Sequence, residues 1–315
     1  MSWGKHFIEW IENDIAFVSC VFTWQLPEVY QRCIWLRQEG YRIYAGGPAV
    51  SLMPEYLADV AEIGGQINAL PRHNPNATFT SRGCPRNCSF CAVPRIEGDL
   101  VELDGWEPKP IVCDNNLLAC SRCHFDKVID SLKGIKGVDF NQGLDARLLT
   151  DYHIERLREL NLSHIRLAWD HTNLESLVQS AISRLADAGL SKGKINVYVL
   201  IGFDDSPEDA LYRLETLRNI GIRPFCQRYQ PLNSLRRNSY VAPNWTERQL
   251  RDFCRFWNKQ IYFRSVSFSD YIQAEGKTKT LFQNKRRLQE ALVRCSLASI
   301  AGGNFQSDML RKNGA

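Results

Sequence analysis

The sequence has no apolar run long enough to cross a membrane. The longest candidate, residues 195–203, has only the length of a β-strand, whereas a membrane-spanning helix needs about 18 or more apolar residues in succession. The first residues do not follow the pattern of a secretory signal, because charged side chains interrupt the apolar ones. We therefore expect a cytoplasmic protein with no membrane partner.

Internal repeats and low-complexity tracts are also missing, and the net charge is only +4. This charge is uneven. Residues 1–244 carry 26 Lys and Arg against 29 Asp and Glu, a balance of −3, and residues 245–315 carry 13 against 6, a balance of +7. The basic end predicts an anionic partner such as a nucleotide or nucleic acid, although a solvated helix face explains the same charges equally well.

Three of the eleven cysteines, Cys84, Cys88 and Cys91, have the spacing Cys-x3-Cys-x2-Cys directly after a β-prone run at 77–80. Three thiolates on one tight loop can bind three irons of a cubane iron–sulfur cluster and leave the fourth iron without a protein ligand. A zinc knuckle or three free thiols is the alternative. Zinc sites, however, commonly have paired Cys-x2-Cys elements and four ligands.

This cysteine pattern resembles the signature of the radical S-adenosylmethionine (radical SAM) superfamily. The resemblance implies that Cys84, Cys88 and Cys91 bind a 4Fe–4S cluster, that SAM chelates the open iron, and that Phe90 lies near the adenine. It also implies reductive cleavage of SAM to a 5′-deoxyadenosyl radical, which abstracts hydrogen from a substrate. A flavodoxin or ferredoxin would then be the electron donor.

From residue 77 onward the pattern alternates between strands and helices, which predicts an α/β fold with a parallel sheet. The strand-like runs are 77–80, 111–113, 138–140, 164–169, 195–201 and 224–229. Helices are expected after 150, from 173 to 189 and from 206 to 221, the last beginning with a capping box at Ser206 and Asp209. The radical SAM resemblance implies a partial (β/α)6 barrel, whereas periodicity alone fits an open sheet equally well.

The first 70 residues predict a small Rossmann-like β-α-β unit. It has strands at 15–22 and 41–45, a helix at 26–38, and a second helix near Pro54. The unit resembles half of the cobalamin-binding domain that precedes many radical SAM barrels. The cobalt-ligating Asp-x-His-x-x-Gly motif is missing, so we regard cobalamin as doubtful and expect a vestigial structural domain.

Three regions follow from these patterns: residues 1–70 as the N-terminal unit, 77–240 as the barrel, and 245–315 as a basic helical extension. A Gly- and Pro-rich linker at 64–76 separates the first two. The extension is expected to contain an amphipathic helix at 245–265 and a further helix at 280–300. Its aromatic residues suit either base stacking or a packed helical lid.

Polar residues follow the predicted strands at their carboxyl ends, where parallel β/α folds carry function. In strand order, the candidates for binding SAM or substrate are Asp114 and Asn115, Gln142 and Arg147, Asp170, Gly202, and Arg228 and Gln230.

The likeness to related barrels implies a role for several of these candidates. Asp114 and Asn115 would bind the SAM ammonium group, although an Asx turn is the alternative. Arg147 would bind either the SAM carboxylate or Asp145. Asp170 would bind the ribose and Gly202 would contact the adenine.

Four further residues near the site have more than one possible role. His171 suits proton transfer, although a lone histidine is more often structural. Cys113, Cys120 and Cys123, followed by His124, would suit a second cluster or zinc, but we favour isolated thiols. The remaining cysteines, expected to be small core residues, are Cys20, Cys33, Cys226, Cys254 and Cys295.

The sequence therefore predicts a radical SAM enzyme that abstracts hydrogen from an unidentified substrate, for which a nucleotide or nucleic acid is one candidate class. Two alternatives stay open. One is a cobalamin-dependent radical SAM methylase. The other is a non-catalytic iron–sulfur or zinc protein that binds nucleic acid through its basic tail.

Overall fold

A computed structural model describes residues 7–64, 69–259 and 265–276 of the chain. The chain divides into two compact units, with the division after Asn258. Among the described residues, no helix is both long and apolar enough to span a membrane. The expected helix at 280–300 and Cys295 lie outside the described residues.

A four-stranded sheet comes first in the chain. Its strands are β1 (Phe7–Glu12), β2 (Ile15–Cys20), β3 (Arg42–Gly46) and β4 (Glu62–Ile63), in the order β1-β2-β3-β4. Helix α1 (Leu26–Gln38) connects β2 to β3, which pair in parallel. The predicted β-α-β unit is therefore present. Strand β1, which the sequence analysis did not predict, pairs antiparallel with β2.

The core of this sheet comes from alternate residues of β2 and β3 packed against α1. Its fully buried members include Ala16, Val18, Val29, Cys33 and Leu36. The predicted helix near Pro54 is wrong. A short helix α2 (Pro48–Leu52) begins earlier, and Pro54–Tyr56 is a single 3₁₀ turn.

The earlier start of α2 has a local cause at Gly47. This glycine has φ +91°, and a Cβ there would lie 2.6 Å from the carbonyl oxygen of Cys20. The chain therefore turns tightly at Gly47 and directs Pro48 into the first helical position, which proline tolerates.

The remaining strands follow the short helix α3 (Leu70–His73). They are β5 (Ala77–Thr78), β6 (Ser81–Arg82), β7 (Val101–Glu102), β8 (Ile111–Val112), β9 (Lys136–Phe140), β10 (Asn161–Ala168), β11 (Ile195–Ile201) and β12 (Arg223–Arg228). Strands β6 and β7 form an antiparallel ribbon of their own. The other six form one parallel sheet in the order β12-β11-β10-β9-β8-β5, which confirms the predicted parallel sheet.

Helices connect these strands and follow the last of them. They are α4 (Val93–Ile96), α5 (Arg122–Leu132), α6 (Asp151–Arg158), α7 (Glu175–Asp187), α8 (Pro207–Asn219), α9 (Glu247–Trp257) and, in the second compact unit, α10 (Phe268–Gly276). Ser206 and Asp209 form the predicted capping box of α8. The helix predicted at 245–265 is shorter, since α9 ends at Trp257.

Strand β11 lies inside the parallel sheet and is buried along almost its whole length. Such a continuous apolar strand is typical of parallel sheets that are covered on both faces. Helix α8 contributes Leu214 and Leu217, both fully buried, to the same core. Because all six strands point the same way, their carboxyl ends lie along one edge of the sheet, and the loops at that edge contain the candidate site.

Candidate functional site

The three cysteines lie on the segment that follows β6, and the β6–β7 ribbon holds this segment in place. The Cys84 amide donates to the carbonyl oxygen of Gly98 at 3.2 Å. Glu97 accepts from the Arg82 guanidinium at 2.7 Å and from the Gly83 amide at 2.8 Å. The loop therefore starts from a base held by several hydrogen bonds.

The Cys84, Cys88 and Cys91 thiols are free and half-buried. Burial raises the pKa of Cys88 and of Cys91. In each case the charges of the neighbouring thiols and of Asp170 raise the pKa further, while Arg147 lowers the pKa of Cys88. The three sulfurs are thus close enough to influence one another electrostatically.

Within the described ranges, no group of three His, Cys, Asp or Glu side chains is arranged to hold a single metal ion. Ligands of a cubane cluster differ in this respect from ligands of one ion. Each thiolate binds its own iron, so the three sulfurs need not converge on a common centre.

The Cys84 sulfur accepts two hydrogen bonds, one from the Arg86 amide at 3.4 Å and one from the Asn116 side-chain amide at 3.6 Å. Asn116 is buried, and its Oδ1 has no hydrogen-bond partner within the described part of the chain. Asp114 and Asn115 were predicted from the sequence as site residues, and Asn116 was not. The available signal was the uninterrupted Asp-Asn-Asn run, but a run of three polar residues does not indicate which one faces the sulfur.

Asp145 joins the cysteine loop to the loop after β9. It accepts two hydrogen bonds from the Arg147 guanidinium at 2.6 and 2.9 Å, one from Arg86 at 3.3 Å, and one from Asn116 at 3.3 Å. Burial opposes ionisation of Asp145, but Arg147 outweighs it and the pKa of this carboxyl is lowered. Of the two partners expected for Arg147, the structure pairs it with Asp145. Gln142, in the same loop, is exposed.

Asp114 and Asn115 bind protein groups. The buried Asp114 carboxylate accepts from the Thr80 amide at 2.6 Å and from the Thr80 hydroxyl. Asn115 donates to Glu97 at 2.6 Å. Both side chains therefore support the start of the cysteine loop, and the ammonium-binding role expected from the sequence stays a prediction.

Asp170 follows β10 at the carboxyl edge of the sheet, and its side chain has a shifted pKa. Burial raises its pKa to about 6, while the positive charges of Arg213 and Arg147 act in the opposite direction. His171, beside it, is exposed, and its Nδ1 accepts a hydrogen bond from the Asn173 amide at 3.2 Å. His171 thus caps the turn that precedes α7, as in the structural alternative.

The raised pKa of Asp170 predicts a pH-dependent stability in the metal-free protein. Its contribution is fully present below the unfolded pKa and is lost as the pH rises through about 6. Relative to the parent, an Asp170→Asn variant should therefore gain about 2–3 kcal/mol in free energy of unfolding between about pH 4 and pH 8. Urea unfolding of both proteins across this range measures the difference. A constant difference would contradict the burial of the carboxylate.

Gly202 follows β11 with φ +72° and is packed against α9. A Cβ at this position would lie 2.6 Å from Cδ2 of Leu250, and its amide donates to Asp205 at 2.8 Å. The next residue, Phe203, contacts Phe90 edge to face with centroids 5.6 Å apart. The glycine thus lets α9 approach the strand end and leaves Phe203 beside the cysteine loop.

Arg228 and Gln230, after β12, also bind protein groups. Arg228 donates to Glu247 and to the carbonyl oxygen of Tyr240, each at 2.6 Å. Gln230 exchanges two hydrogen bonds with Asn238, both of 2.9 Å. Their positions make them supports of the loop after β12.

The remaining predicted thiols differ in exposure. Burial raises the pKa of Cys113 to about 12 and of Cys120 to about 11, so both are neutral thiols near pH 7. Cys123 is exposed, and the neighbouring His124 is buried with its Nε2 3.2 Å from the Thr80 hydroxyl. Isolated thiols stay the prediction for this group.

The structure therefore gathers the cysteine loop, Arg147 and Asp170 into one electrostatically coupled cluster. Its further members are Asp145, which was expected only as a partner of Arg147, and Asn116, which was not predicted. No protein-family model matches the chain, and a search of curated proteins likewise returned no match. The residues of this cluster are consequently the basis for a functional hypothesis.

Proposed function

We propose that this chain is a radical SAM enzyme with a partial (β/α)6 barrel. The observation that carries the proposal is the trio Cys84, Cys88 and Cys91 on a braced loop, at the carboxyl edge of a parallel sheet. The sheet runs in chain order without reversal, whereas doubly wound sheets reverse at a switch point. A sheet without reversal and with right-handed crossovers keeps its helices on one face and can curl into a barrel.

The chemistry of the donor set fits a cluster. Thiolates are the ligands that iron–sulfur clusters take, and hydrogen bonds to the ligating sulfur tune such clusters. Cys84 accepts two hydrogen bonds of this kind, from Arg86 and Asn116. Gly83 allows the loop to lie directly against the ribbon, since a Cβ there would be 2.0 Å from the carbonyl oxygen of Asp99.

When bound, the reduced 4Fe–4S cluster and SAM would together supply a 5′-deoxyadenosyl radical that abstracts hydrogen from the substrate. The residues of this chain would orient and shield that chemistry. Arg147, beside Cys88, offers a guanidinium to a carboxylate, and Asp170 offers acceptors to hydroxyl groups. Phe90 and Phe203 exclude water from one side of the loop. A flavodoxin or ferredoxin would supply the electron.

The test is anaerobic reconstitution with iron and sulfide, followed by reduction and measurement of 5′-deoxyadenosine from added SAM. We expect the parent to bind about four irons and to form the product, and the Cys88→Ala variant to lose both. Cys123→Ala is the matched control, because this thiol is exposed and lies outside the loop. A parent protein that binds a single zinc and leaves SAM intact would overturn the proposal.

A further inference from the structure

A loop after β12, residues 231–239, lies against the turn between β2 and α1. The Thr23 hydroxyl donates to the carbonyl oxygen of Ser234 at 2.7 Å. Leu235 packs against the core of the first sheet, and the Arg237 guanidinium carbon lies 5.8 Å from the centre of the Trp24 ring. The loop and the turn together form one surface, which we call the Trp24 surface.

The turn supplies an aromatic platform. The Phe22 and Trp24 rings stack with centroids 4.4 Å apart and planes inclined by 10°, and both side chains are half-buried. Proteins commonly hold nucleobases on aromatic side chains, because every base has a flat π-face that can stack on a ring.

The loop supplies cations on a braced backbone. Besides the Gln230–Asn238 pair, the Ser234 hydroxyl donates to the carbonyl oxygen of Arg236 at 2.8 Å and accepts from the Arg236 amide at 3.3 Å. Asn238 has φ +58°, in the left-handed region that asparagine tolerates. The turn thus holds the backbone that carries Arg236 and Arg237.

These two arginines differ from most others. Arg32, Arg42 and Arg72 in the first sheet region each pair with a glutamate. Arg236 and Arg237 are exposed, and within the described residues neither takes part in an ion pair. Two adjacent cations without carboxylate partners, held on a braced loop, offer charge complementarity to a phosphate.

A row of rings leads from Tyr240, the residue after this loop, to the cysteine loop. Tyr240 contacts Tyr229 with centroids 5.4 Å apart, Tyr229 contacts Phe203 at 4.7 Å, and Phe203 contacts Phe90 at 5.6 Å. All four side chains are half-buried. A ligand held at the loop after β12 would therefore lie at the outer end of a row that begins beside Cys91.

We propose that the Trp24 surface binds a nucleotide unit of the substrate, with the base on the Phe22–Trp24 pair and the phosphate on Arg236 and Arg237. That the bound nucleotide is the substrate rests on the proposed radical SAM function, whereas binding of a nucleotide does not. A free nucleotide and a nucleotide within a single strand share this chemistry.

The experiment measures binding of a labelled single-stranded RNA of about 12 nucleotides, and of the matching DNA, to the full chain by fluorescence anisotropy. Unlabelled AMP and UMP compete in a parallel arm. We expect the parent to bind, and an Arg236→Ala/Arg237→Ala variant to bind about tenfold more weakly. The slope of log affinity against log salt should decrease by about 0.7, as for one lost phosphate contact on a single strand.

The aromatic contribution has its own variants. Trp24→Ala should weaken binding about tenfold, and Trp24→Phe should recover most of the loss, since stacking needs a ring and not the indole nitrogen. Competition by AMP or UMP would show that the surface accepts a free nucleotide. Binding of the oligonucleotide without such competition would show that the ligand is a single strand. Circular dichroism checks that each variant is folded.

The control removes two cations elsewhere, in Lys133→Ala/Arg158→Ala, whose side chains pair with acids at α5 and α6. The proposal is overturned if the parent binds none of the probes, or if the Arg236/Arg237 variant loses no more affinity than this control. SAM cleavage, measured on the same samples, separates the two proposals. If the protein cleaves SAM but binds no probe, only the proposal for the Trp24 surface is overturned. If it binds a probe but does not cleave SAM, the result indicates a nucleic-acid-binding protein.

Discussion

Replacing Gly83 with alanine is expected to lower the free energy of unfolding by about 3–5 kcal/mol and to prevent iron binding. Gly83 has φ +75°, which costs an L-residue about 1–2 kcal/mol. A Cβ would also lie 2.0 Å from the carbonyl oxygen of Asp99 and 2.9 Å from that of Gly98. Because these atoms belong to the backbone, no rotamer change relieves the contact, and the hydrogen bonds at the base of the cysteine loop must open. Urea unfolding and iron content measure the two effects.

Gly98 provides the matched control in the same ribbon connection. Its φ is +71°, but a Cβ there has no neighbouring atom within 4 Å. A Gly98→Ala variant should therefore lose only about 1–2 kcal/mol, the cost of the backbone conformation, and should still bind iron. Equal losses in the two variants would mean that the close approach of Gly83 to the ribbon contributes nothing.

A second large effect is expected when Arg213 is replaced with methionine. The free energy of unfolding should fall by about 3–5 kcal/mol. The Arg213 side chain is fully buried. It donates to Asp205 at 2.5 Å, to the carbonyl oxygen of Trp169 at 2.8 Å and to that of Leu200 at 3.0 Å. Its removal leaves a buried carboxylate and two strand-end carbonyls without this donor.

The loss should depend on pH. Burial raises the pKa of Asp205 and of Asp170, and in both cases the charge of Arg213 acts against the increase. Without Arg213 both pKa values rise further, so the variant is destabilised most where the carboxyls must ionise. The deficit should therefore be larger near pH 8 than near pH 5.

The control for Arg213 is Arg158→Ala, which removes an exposed ion pair with Glu155. We expect a change within about 0.5 kcal/mol, because exposed ion pairs contribute little. An Arg213→Met deficit of the same small size, or one that does not change with pH, would contradict the role assigned to the buried guanidinium.

Elements with a strong local pattern could be predicted from the sequence. Strand β11 is a continuous apolar run, and α8 begins at a capping box, so neither depends on distant residues for its identification. The β6–β7 ribbon could not be predicted. Its strands have two residues each, and it is held by Glu97, whose contacts with Arg82, Gly83 and Asn115 come from the tertiary fold.

The same division applies to the site. The cysteine spacing is local and can be recognised in the sequence, whereas the partner of each polar side chain depends on which loops meet in the fold. Arg228 illustrates this, because the residue that engages it, Glu247, comes from α9 beyond the next loop. Asp145 is another example, since its acceptor role becomes visible only when Arg86 and Asn116 are brought beside it.

The contact between Thr23 and Ser234 has a consequence for how the molecule forms. It joins residues 211 positions apart, whereas the parallel sheet pairs each strand with its neighbour along the chain. Closing so long a segment loses more chain entropy than closing each β-α-β step, and contacts between remote positions slow folding. We therefore expect the hydrogen bond between Thr23 and Ser234 to form after the sheet has assembled, so that a Thr23→Val variant would lose this hydrogen bond and keep the sheet.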